Sequence, residues 1–87
     1  MVNNEKFTIR GGCIVHRSTG KAIPEHEPVF ILRACDKQAL SILRVYQSKM
    51  RPKEDCWKGI QSVIEDFTKF REENPGEMKQ PIEAYEG

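Results

Sequence analysis

Residues 6–10 alternate, with Phe7 and Ile9 on one side of an extended chain and Thr8 and Arg10 on the other. That period of two predicts a strand with one buried face. Gly11 and Gly12 interrupt it, as a bulge, a turn or a close approach of another group. Residues 13–16 continue as extended chain, with Cys13 and either Val15 or Ile14 turned inward. Ser18, Thr19 and Gly20 form a turn cluster, followed by Lys21 and the apolar pair Ala22 and Ile23. A proline-bounded acidic connector, PEHEP at 24–28, leads into Val29, Phe30, Ile31 and Leu32, an apolar run with no alternation. Such a run of β-branched and aromatic residues predicts a strand over 28–34 covered on both faces. One face would meet the protein's own helices and the other a partner, most simply a second copy. Antiparallel pairing follows, because parallel strands need a longer crossover.

Downstream of 34 the period changes from two to 3.6. Asp36 sits where a helix N-cap belongs. Ala39, Ile42, Leu43, Tyr46 and Met50 recur at three- and four-residue spacing, which predicts a helix over about 37–50. Leu40 and Val45 widen its apolar face and hint at more than one contact surface. Pro52 suits the start of a second helix, with Glu54 and Asp55 at its positive end. Cys56 or Trp57, then Ile60, Val63, Ile64, Phe67 and Phe70, form its stripe over about 53–73. Gly59 inside that stripe suggests a close packing contact, and Asn74, Pro75 and Gly76 stop the helix. The fold class expected is α+β: a small antiparallel sheet of two or three strands followed by two antiparallel helices packed on one face. Residues 1–76 form one domain and 77–87 a polar tail, in which Met78, Ile82 and Tyr85 are placed to dock on a neighbour.

Composition narrows the function. A chain of 87 residues builds one modest core, so oligomerisation fits and a large enclosed active site does not. Its 38% hydrophobic and 31% charged content is that of an ordinary globular chain, with no long apolar stretch to span a membrane. Three widely spaced cysteines without a CxxC pair speak against a disulfide framework and for small buried thiols. Cys13 and His16 have a C-x-x-H spacing, but the rest of a zinc ligand set is missing, so no metal or cofactor is expected. Residues 1–53 carry ten Lys or Arg against four Asp or Glu, and residues 54–87 carry four against nine, a split of +6 and −5. That asymmetry points the first half at an anionic partner, or the two halves at each other.

The candidate binding groups are therefore the basic residues on or beside the strands: Arg10, His16, Arg17, Lys21 and Arg33, with His26 in the connector. Gathered on one edge, they would hold a phosphate-bearing ligand or an acidic protein surface. A nucleic-acid groove would need aromatic residues interleaved with the basic ones, and Phe7 and Phe30 belong to the core. STGK is not a phosphate loop: Val15 replaces the leading glycine and Ala22 the hydroxyl residue, so a hairpin turn is expected. His26 between Glu25 and Glu27 has the groups for acid–base work, but no nucleophile accompanies it.

Residues 20–36, GKAIPEHEPVFILRACD, resemble the signature of a family of small proteins of tailed bacteriophages and prophages, roughly G-K-x-I-P-x-x-E-P-V-F-x-L-R-A-x-D followed by two helices. The match runs through Gly20, Lys21, Ile23, Pro24, Glu27, Pro28, Val29, Phe30, Leu32, Arg33, Ala34 and Asp36. The resemblance implies a phage setting and the host cytoplasm, and carries over no catalytic residue. It implies a non-enzymatic, oligomerising binding protein that counteracts host defence, by sequestering a phosphorylated nucleotide signal or by occluding a host protein. A small nucleic-acid-binding regulator and a small nucleotide hydrolase are the alternatives.

Overall fold

The computed structural model describes residues 6–86. The fold is α+β, with a two-stranded antiparallel sheet and a helical part in which two helices pack together. The chain divides into two compact units, one ending at Ile31 and the other beginning at Leu32.

The first unit is built on a hairpin. Strands β1 (Phe7–Arg10) and β2 (Cys13–His16) pair Phe7 with His16, Thr8 with Val15, Ile9 with Ile14 and Arg10 with Cys13. The two-residue turn between them is Gly11–Gly12, with φ of 56° and 78°. Positive φ at both positions defines the type I′ turn, whose twist matches the strands and which residues with a Cβ enter at a cost. Of the three readings of the glycine pair, the turn is the one realised. A third extended segment joins β2 through a single antiparallel bridge from Val15 to Ala22, flanked by hydrogen bonds from His16 N–H to Lys21 O and from Ile23 N–H to Ile14 O.

Val15 is thus paired on both edges, and among the described residues of this unit it is the buried one. The expected burial of the Phe7 and Ile9 side is not found. Phe7 is half-buried and Ile9 exposed; the register puts both on the opposite face of the hairpin from Val15. Cys13, expected inward, is exposed beside the turn.

Residues 28–34 hold no strand. Val29, Phe30 and Ile31 are 52%, 79% and 53% exposed, so the chain itself does not bury them. β-propensity measures fit to a paired, half-buried surface. Here the chain instead turns at 33–36, through a bond from Asp36 N–H to Arg33 O, and enters the helical unit.

In that unit helix α1 spans Ala39–Ser48 and helix α2 spans Asp55–Glu73. Pro52 occupies the second position of the turn closed by Glu54 N–H on Arg51 O, so α2 starts three residues after the proline and not at it. The amide of Gln47 ties the helices together, donating to Trp57 O at 3.2 Å and to Gln61 Oε1 at 2.9 Å. Ala39, Leu40 and Ile64 are buried there. A Cβ built on Gly59 meets nothing within 4 Å, so the close packing expected at that glycine is not present. Asn74 ends α2, its backbone and side-chain N–H both reaching Phe70 O, and Pro75 opens a single 3-10 turn. Residues 77–87 were expected as a tail; within them lies a further short helix, α3 (Pro81–Glu86), whose Ala84 is buried.

Candidate functional site

Asp36 is the one buried charged residue among the described positions, 3% exposed. A carboxylate taken out of water needs donors for its oxygens. Oδ1 accepts from Gln38 N–H at 2.8 Å, closing the turn that leads into α1, and Oδ2 accepts from the Tyr85 hydroxyl at 2.9 Å. Asp36 was expected as the N-cap; that position is held by Gln38, which makes no side-chain cap bond, and Asp36 instead closes the turn before it. The Tyr85 hydroxyl in turn accepts from Arg33 N–H at 2.9 Å, and the Arg33 guanidinium donates to Ala84 O. Lys79 adds a parallel bridge, its N–H on Cys35 O at 2.7 Å and its carbonyl receiving Lys37 N–H at 2.9 Å. These bonds fasten α3 to the start of α1. The Tyr85 pKa lies above its ordinary value of 10.0, first because of burial. The Arg33 amide opposes that rise, and Asp36 adds to it by hydrogen bond and by charge.

The basic residues divide. His16, Arg17 and Lys21 lie at one end of the hairpin, drawn together by the turn in which Gly20 N–H bonds His16 O. The His16 ring packs against Phe7 with centroids 4.8 Å apart, and Arg17 Nε donates to Phe7 O at 3.1 Å. Arg10 sits at the opposite end, beside the glycine turn, and strand alternation puts it on the other face from His16. His26 is exposed in the separate turn closed by Glu27 N–H on Pro24 O. Arg33 belongs to the helical unit and is engaged in holding α3. Among the described residues, no group of three or more His, Cys, Asp or Glu is placed to hold a metal ion.

The outer face of α1 is the other feature. The sequence pattern puts Ile42 and Tyr46 in the core stripe with Ala39 and Leu43. In the structure Ile42, Val45 and Tyr46 are 51%, 58% and 53% exposed, while Ala39 and Leu40 are buried. At 3.6 residues per turn these are two apolar sectors roughly 120° apart, only one of which faces α2. Ser41, Ile42, Val45 and Tyr46 line a shallow open depression, walled almost wholly by carbon. Lys49 continues that sector, and from 37 to 53 the charged residues are Lys37, Arg44, Lys49, Arg51 and Lys53, with no acid among them. The signal for this face was the excess width of the apolar pattern, carried by Val45.

No protein-family model matches the chain, and neither a curated protein nor a solved structure does. No helix among the described residues is long and apolar enough to cross a membrane.

Proposed function

We propose that this is a non-enzymatic binding protein that occludes a partner protein through the outer face of α1. In the phage setting suggested by the signature at 20–36, the partner is a host defence protein and the place is the host cytoplasm. One observation carries the reading: three large apolar side chains stand more than half exposed at i, i+3 and i+4 on a regular helix. A cluster of that size matches the largest apolar patch on an ordinary monomer, and such patches are often functional. The nucleotide-sequestering alternative draws less support, since within the hairpin Arg10 lies at the opposite end and on the opposite face from His16.

The test is the plating efficiency of a phage on a panel of bacterial strains, each carrying one defence system and expressing this chain. Relief of at least one system is expected, kept by the double variant Arg17→Ala, Lys21→Ala and lost by Val45→Glu. Relief lost in the double variant and kept in Val45→Glu would replace occlusion by capture of a phosphorylated ligand. Relief of none would remove the anti-defence function.

A further inference from the structure

Resting on the α1 reading, we infer that the occupant of the outer face is a short amphipathic segment whose apolar side chains are flanked by Asp and Glu. Two observations select it. The first is size. Three half-exposed side chains offer roughly 300 Å², against about 800 Å² per partner in a standard interface. Two globular surfaces, including two copies of this helix face to face, gain too little from such a patch. A short segment that folds as it binds is not limited to the patch, because it can wrap onto the neighbouring connection as a rigid face cannot.

The second observation is charge. The stripe Ile42, Val45, Tyr46 runs into Lys49, and Arg51 and Lys53 follow in the exposed connection. Every charged side chain from Lys37 to Lys53 is positive, and the first acids beyond are Glu54 and Asp55 at the start of α2. Arg44 falls on the far side of the helix, so the charge at this face is Lys49, with Arg51 and Lys53 beyond it; such a basic end selects acidic flanks on the incoming segment and repels a basic one, which sets specificity and on-rate more than depth of binding. The carboxylates of the segment would lie toward Lys49 and its apolar ridge over the depression between Ile42 and Tyr46.

The probe is a fluorescently labelled amphipathic peptide with leucines at i, i+3, i+4 and i+7 and glutamates elsewhere, titrated with the full chain. Its counterpart carries lysine for every glutamate. The expected result is saturable binding of the glutamate peptide that weakens with added salt, falls about tenfold or more in Val45→Glu, and falls in Lys49→Glu. The lysine peptide should bind poorly to the wild type and better to Lys49→Glu. Circular dichroism of both variants should match the wild type, since both sites are exposed. Equal binding of the two peptides, or binding indifferent to Val45→Glu, overturns the inference. So does self-association that Val45→Glu abolishes, or binding to anionic phosphatidylglycerol vesicles in place of the peptide. If Val45→Glu loses relief of defence while the glutamate peptide fails to bind, the surface assignment stands and its acidic occupant is wrong.

Discussion

Leu40 and Ile42 lie two positions apart on the same helix, and both are large and aliphatic. Leu40 is 5% exposed and Ile42 51%. Local sequence does not separate them; what does is α2, which packs on one sector of α1 and leaves the other, with Val45 and Tyr46, in contact with water. The inner sector is held by everything around it: Ile64 on α2, the Gln47 amide across the helix pair, and the turn closed by Asp36. The outer sector is a surface that contributes little to the fold. Within one helix the same residue class thus serves as core on one side and stands exposed on the other.

The comparison breaks most readily at Leu40. Leu40→Ala should cost about 2–4 kcal/mol in urea unfolding, as buried leucines do when a cavity is left behind. A loss near zero would mean the inner sector is not the core. Asp36→Ala should cost about 2 kcal/mol, because it opens the turn before α1 and leaves the Tyr85 hydroxyl without its acceptor. The expected companion effect is faster amide exchange over 79–86, the segment those bonds fasten; unchanged exchange there would deny Asp36 that role.

Tyr85→Phe should cost about 1–2 kcal/mol at neutral pH, because it removes both the donor to Asp36 and the acceptor of Arg33 N–H, in a partly exposed place. It also sharpens the account through pH. The folded state raises the Tyr85 pKa above the unfolded 10.0, so folding favours the neutral phenol. That stabilisation is fully present below pH 10 and is lost as pH rises through the folded-state value. The wild type should therefore lose its advantage over Tyr85→Phe in alkali, read from the difference in thermal midpoints across that range. A constant difference would leave the hydrogen bond without the linkage.

The smallest effect belongs to the outer sector. Val45→Glu and Ile42→Ala should each change stability by about 0.5 kcal/mol or less, as exposed sites do. A loss as large as that of Leu40→Ala would make the outer sector part of the core and remove the basis for a binding face.

Much of the fold was legible where one residue type has a local consequence. Gly11–Gly12 marked a break in the strand, with a turn as one of three readings, the 3.6 period marked both helices, and Asn74–Pro75 marked the end of α2. Residues 28–34 misled because an apolar run reports that cover would be welcome, not that the chain supplies it. Asp36 was legible as a helix-entry residue because it precedes the helical pattern, but its partner Tyr85 is 49 residues away and leaves no local pattern. Arg33 looked like an anion-binding strand residue for the same reason; its contact with Ala84 spans 51 residues. The outer face of α1 was half visible, since the extra width from Val45 was there to count, but only the placement of α2 decides which sector stays open.

The most direct test of the central claim uses a photo-crosslinking amino acid in place of Tyr46, and separately in place of Lys21, in the full chain expressed in phage-infected, defence-bearing cells. An adduct at 46 with a host protein, cross-linked within an acidic amphipathic segment, and none at 21, is the predicted result. An adduct at 21 with none at 46 would contradict it and return the site to the hairpin.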